Sequence, residues 1–102
     1  FSVAVAVARA QVEQEAFLET TEGISITIKC SHPNIRTGDF IHFYRQRPGQ
    51  RPALVAVTAK TPKKVRDPEG RLWVSAERHW SALELRGPRF VDAAVYYCAL
   101  GP

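Results

Sequence analysis

Apolar residues in this chain recur at every second position in short runs, and that period selects β-sheet before any other feature is weighed. Ile24, Ile26, Ile28 and Cys30 alternate with Ser25, Thr27 and Lys29, the pattern of a strand with one face in a core and the other in water. Leu72, Val74 and Ala76 repeat it, as do Leu83 and Leu85, and then Ala94, Tyr96 and Cys98. Turn chemistry separates the runs at Thr21-Glu22-Gly23, Pro48-Gly49, Pro68-Glu69-Gly70 and Gly87-Pro88. Short strands at regular spacing with Gly and Pro turns predict an all-β antiparallel sandwich or barrel. No long helical stripe competes, and Val91 to Ala94 has room for one helical turn.

Composition narrows the class. With 102 residues, 45% hydrophobic and 24% charged, the chain suits one small domain and excludes a disordered tail, a collagen-like repeat and a disulfide-dense knot. Fourteen Lys and Arg against ten Asp and Glu leave a formal +4, with one cluster at Lys60, Lys63, Lys64 and Arg66. The basic helix or basic-aromatic alternation of nucleic-acid modules is missing, so no nucleic-acid partner is expected. No run of about 20 apolar residues is present, so attachment to a membrane requires another segment.

The first residues carry a separate signal. Phe1 to Val7 is apolar and uncharged, and Ala8-Arg9-Ala10 places small residues at the first and third positions, the form of the end of an export signal and its cleavage site. Residues 1–10 are therefore read as a signal remnant and 11–102 as the domain; the alternative is an edge strand, which Val-Ala alternation also suits. The absence of Met in a chain beginning at Phe1 fits a processed or partial product. Two cysteines on the oxidising export route are expected to pair. A Cys30–Cys98 bridge closing so long a loop is worth about 4 kcal/mol; the alternative is two free buried thiols.

Three stretches then carry a resemblance: Cys30; Phe43-Tyr44-Arg45-Gln46-Arg47-Pro48-Gly49-Gln50; and Asp92-Ala93-Ala94-Val95-Tyr96-Tyr97-Cys98-Ala99-Leu100. Together they resemble an immunoglobulin variable-type domain. More narrowly, the Gln11-Val12-Glu13-Gln14 start, the Tyr-Arg-Gln run and the Cys-Ala-Leu ending resemble a T-cell receptor alpha or delta variable segment. The fold implied is a V-type two-sheet antiparallel sandwich. Tyr96 and Cys98 share one strand parity and point into its core, where the Tyr hydroxyl bonds back to the chain as a tyrosine corner. The resemblance also implies that Arg71 pairs with Asp92 at the floor of the sandwich. Two departures stand out. Phe43 occupies the place where the family has Trp, so either Trp73 fills the space or the core is looser, Trp80 being too near a turn to serve. The chain also stops four residues after Cys98 without a Phe-Gly-x-Gly strand. The final strand G is thus expected to be missing, as in an unrearranged V segment lacking its joining segment.

Nothing in the sequence assembles an enzyme, a metal site or a cofactor site: His32, His42 and His79 lack metal spacing, and no nucleophile motif occurs. A sandwich with loops at one end is a binding scaffold, and the resemblance assigns the loops. His32 to Phe40 is the first, with Asn34, Arg36, Thr37 and Asp39 reaching out. Thr58 to Lys64 is the second, with Thr58, Lys60, Lys63 and Lys64; Ala99 to Pro102, with Leu100, is the root of the third. Glu77, Arg78 and His79 form an accessory loop. In the family the first two loops contact an MHC or MHC-like antigen-presenting molecule and the third contacts the antigen. The basic cluster either complements an acidic ligand face or protects a strand edge from aggregation. Tyr44, Gln46, Pro52, Leu54 and Tyr97 match the positions that meet a partner variable domain, and alternation turns Tyr44, Gln46 and Tyr97 away from the core. The implied function is antigen recognition as half of a heterodimeric receptor with signalling subunits, on the extracellular side of the plasma membrane. The alternatives are an antibody light-chain variable domain and an invariant immunoglobulin-superfamily adhesion or receptor domain.

Overall fold

The computed structural model describes the backbone of Ser2–Val5, Glu13–Gln14 and Phe17–Glu19, and residues 22–102 in full. In chain order the strands are β1 (Ser2–Val5), β2 (Glu13–Gln14), β3 (Phe17–Glu19), β4 (Ile26–Ser31) and β5 (Phe40–Gln46). After them come β6 (Ala53–Thr58), β7 (Lys63–Arg66), β8 (Glu69–Val74), β9 (Trp80–Leu85) and β10 (Val95–Gly101), with a 3-10 turn at Phe90–Asp92 before the last. They form two sheets, β3-β1-β10-β5-β6 and β2-β4-β9-β8-β7. All pairings are antiparallel except that of β1 with β10, which matches Ala4 to Val95 and Val5 to Tyr96.

The alternation read from the sequence becomes the packing between the sheets. Ile28, Cys30, Leu72, Leu83 and Leu85 from the second sheet meet Ile41, Phe43, Tyr96 and Cys98 from the first, all buried. Cys30 and Cys98 form the expected bridge, with Cα atoms 6.5 Å apart. Phe43 stands opposite Cys98 in the β5–β10 register and is fully buried. Trp73 does not supplement it, because it lies at outward parity beside buried Leu72, with the Arg71 guanidinium 4.9 Å from its ring.

Local corrections to the sequence reading have local causes. Ile24 precedes β4 and is largely exposed, so burial begins at Ile26. Ala76 lies beyond β8, because the Ser75 amide bonds the Trp80 carbonyl and Arg78 N–H bonds the Ser75 carbonyl, which closes a turn there. The 3-10 turn begins one residue earlier than read, at Phe90. The expected Arg71–Asp92 pair is absent. Arg71 faces outward on β8, 3.7 Å from Glu84 of the neighbouring strand, whereas buried Asp92 accepts a 2.8 Å bond from the Arg89 amide. Arg71 is exposed on β8, whereas Asp92 is buried in the 3-10 turn, and this keeps the two charges apart. The Tyr96 hydroxyl donates to the Asp92 carbonyl at 2.7 Å. Gly70 is required by close approach, since a Cβ there would sit 1.9 Å from the Glu84 carbonyl oxygen.

The N-terminal segment is a strand over Ser2–Val5, set between β3 and β10 and not at the edge of its sheet. Ala8-Arg9-Ala10 and the boundary at residue 11 lie outside the described residues. Among the described residues, the flank of β10 away from β5 is taken by β1, and no strand follows β10.

Candidate functional site

The first loop, residues 32–39, is shaped from within. Asp39 N–H bonds the Arg36 carbonyl at 3.0 Å, and the Asp39 carboxylate accepts from Arg36 N–H at 3.0 Å. That closes a turn with Thr37 and Gly38 at its exposed tip, and half-buried Ile35 packs on the core. Asn34, Arg36 and Thr37 face solvent as expected. Asp39 does not reach out: its carboxylate is spent on the turn, a use that short acidic side chains favour.

His32 departs further from the expectation, because it belongs to the core. It is fully buried, its Nε2 is 3.0 Å from the Ser81 Oγ, and its backbone N–H bonds the His79 carbonyl at 2.8 Å. Burial lowers its pKa below the usual 6.5, so the ring is neutral at physiological pH. A lone His between an alternating strand and a loop gives no sequence cue to this, because the partner Ser81 is 49 residues away.

The second loop is shorter than read. Thr58 ends β6, is buried, and donates its hydroxyl to the Thr61 carbonyl at 2.5 Å. Lys60 stays exposed in the loop, but Lys63 and Lys64 lie on β7. That strand is the edge of the second sheet, so the two lysines lie along a sheet edge and not at a loop tip. Leu100 also changes role. It lies within β10 at the parity of Tyr96 and Cys98, and packs against the core.

Between the two loops stands Arg78, from the turn joining β8 to β9. Its guanidinium donates to the carbonyls of Ala59 (2.9 Å), Asp39 (2.5 Å) and Arg36 (3.4 Å). The sequence identified this residue only as a member of the accessory loop.

A second surface is the outer face of the first sheet. Tyr44 on β5 and Tyr97 on β10 are register partners, and their rings stack with centroids 5.4 Å apart. His42 extends the stack at 6.2 Å from Tyr44. A bulge opposite Phe43/Tyr44 skips Val55, which sets Leu54 across from Tyr44 and leaves it 53% exposed. Gln46 is exposed at the end of β5, with its amide donating to the Gln50 carbonyl at 3.1 Å, and Pro52 is exposed just before β6. Tyr44, Tyr97 and Leu54 are thus gathered on one side, and His42 joins them.

Among the described residues, no group of three or more His, Cys, Asp or Glu is placed to hold a metal ion, and no helix is long and apolar enough to cross a membrane.

Two sheets bridged from β4 to β10, with a tyrosine corner at the foot of β10 and loops gathered at one end, define an immunoglobulin variable-type domain. No protein-family model matches the chain. It is 33% identical over 96 residues to human T cell receptor alpha variable 2, covering 94% of this chain and 80% of that protein. It is also 27% identical over 89 residues to human T cell receptor alpha variable 26-1, covering 87% and 80%. A crystal structure of a chicken TCR superposes with a TM-score of 0.84 at 54% identity, covering 89% of this chain. The chain spans 46% of that receptor chain. The chain belongs to the T-cell receptor variable family and is an antigen-recognition variable domain of that kind, which disfavours the antibody light-chain alternative.

Proposed function

We propose that this domain recognises an antigen-presenting MHC or MHC-like molecule as half of a heterodimer, acting by binding without chemistry of its own. The observation that carries the pairing is the outward-facing Tyr44–Tyr97–Leu54 patch on the first sheet, because aromatic anchors at the centre of an apolar patch dominate protein interfaces. Gln46 and Pro52 border that patch. Recognition falls to the loop end, through Asn34, Arg36 and Thr37 of the first loop and Lys60 of the second, all exposed. Lys63 and Lys64, on an edge strand, serve edge protection on this reading.

The receptor reading carries the rest of its family's setting: the extracellular side of the plasma membrane, an anchor outside this chain, and signalling subunits beside it. It also places residues 1–10 in an export signal, supported by Ala8-Arg9-Ala10. A joining strand would then pair with β10 on the flank that β1 takes here. Mass spectrometry of the secreted chain should find Gln11 at its N-terminus; retention of Phe1 would leave β1 as a permanent strand.

Recognition is tested in reporter T cells expressing the receptor chain with its partner, stimulated by cells bearing or lacking MHC and MHC-like molecules. The double substitution Thr37→Ala and Lys60→Ala should abolish MHC-dependent activation while surface expression holds. Activation that is unaltered, or equal on cells without those molecules, refutes the reading.

A further inference from the structure

Arg78 occupies backbone that a residue with a Cβ ordinarily avoids, at φ +63°. Its side chain supplies the reason for tolerating that conformation. Nε bonds the carbonyl of Ala59 in the second loop, while Nη1 and Nη2 bond those of Arg36 and Asp39 in the first, across 19 to 42 residues of sequence. A guanidinium is suited to the task, since its planar fork presents several donors in fixed directions, whereas an ammonium is a point charge on a flexible stem.

The turn that holds Arg78 is itself anchored. Arg78 N–H bonds the Ser75 carbonyl, Ser75 N–H bonds the Trp80 carbonyl, and Ser75 Oγ accepts from Trp80 N–H at 3.2 Å. The His79 carbonyl holds the base of the first loop through His32 N–H, and the buried His32 ring meets Ser81 on β9. Every acceptor of Arg78 is a main-chain carbonyl, so the bonds set loop backbone without using the exposed side chains of Asn34, Thr37 or Lys60.

From this geometry we infer that Arg78 is a positioning residue that clamps the first and second loops into one preformed surface and couples both to the accessory loop. The inference deepens the loop reading above, and it implies that a contact made at residues 75–79 is transmitted to both recognition loops. Preformed loops bind with less ordering cost than mobile ones.

The test needs no ligand, so its outcome is separate from that of the recognition assay. In the full receptor chain paired with its partner, spin labels at Thr37→Cys and Thr61→Cys, both exposed positions, report the distance between the loops by pulsed electron resonance. With Arg78 present the distance distribution should be narrow. Arg78→Gly, which suits the positive φ and so preserves folding, and Arg78→Lys should each broaden it by about twofold, because local stability is lost without global unfolding. A reference pair of labels on β7 and β9, at Lys64 and Glu84, should keep its width, and Tm should hold. Equal loop widths in the parent chain and in both Arg78 variants would overturn the clamp. So would broadening of the reference pair to the same extent, since that marks a general structural role.

Discussion

The two outer faces of the sandwich each display a pair of large aromatic residues, yet they treat them in opposite ways. On the second sheet, Trp80 has the Lys29 ammonium 4.5 Å from its ring centroid, and Trp73 has the Arg71 guanidinium at 4.9 Å. Ala82, register partner of both Lys29 and Trp73, is almost completely covered. Glu84 balances the charge, 3.7 Å from Arg71 and 3.5 Å from Arg86. On the first sheet, Tyr44 and Tyr97 stack on each other, among the described residues no Lys or Arg lies over either ring, and Leu54 beside them stays more than half exposed. One face thus meets its own needs for contact within the chain. The other leaves apolar surface for a second molecule, and the difference lies in the covering cations, not in aromatic content.

The comparison can be broken at several depths. The largest effect is expected where both faces share a support. Replacing Cys30 and Cys98 by Ala should cost about 4 kcal/mol and put the domain near its unfolding threshold, measured by chemical denaturation of the isolated domain. Next comes the contrast itself. Tyr97→Asp should weaken association with the partner domain at least ~30-fold, the scale of an interface hot spot, while Trp73→Asp should leave association unchanged in the same analytical ultracentrifugation series. Equal losses from both substitutions would erase the distinction between the faces.

A third test moves one residue along β10, from the outer face to the core. Tyr96→Phe should cost about 1 kcal/mol of folding stability with no loss of pairing. Burial raises the Tyr96 pKa from 10.0 to about 12, so the folded state favours the neutral phenol. Its stabilisation is complete below pH 10 and declines as the pH rises from 10 to 12, and that decline should be missing from the stability profile of the Phe variant. The smallest effect belongs to the covering cations. Lys29→Ala and Arg71→Ala should each cost on the order of 0.5 kcal/mol, the usual worth of a cation over an exposed ring, and should leave pairing intact.

What is legible in the sequence depends on whether a residue's role follows from its own strand. Tyr96 and Cys98 inward with Tyr97 outward, and Phe43 inward with Tyr44 outward, follow from parity once the strands are recognised, and the structure has the same arrangement. The disulfide requires only two cysteines and an oxidising route. Roles that depend on a neighbouring element are hidden. Resemblance matches Arg71 to Asp92, but the register across β8 and β9 puts Glu84 beside it. Lys63 and Lys64 read as loop residues because nothing in their own sequence marks where β7 begins. His32, Asp39 and Arg78 look like exposed polar loop residues, yet each has a bond that holds a loop in shape.

The amino-acid sequence by itself determined the alternation that yields two sheets, the cysteine pair that joins them, and the split of β10 into a core side and an outer side. Those features are local, or depend on one covalent bond. Tertiary structure decided which cations cover which rings, how a bulge presents Leu54 beside Tyr44, and that one guanidinium gathers three carbonyls from two loops. Such contacts join residues far apart in the chain, and their geometry exists only after the sheets have set the register.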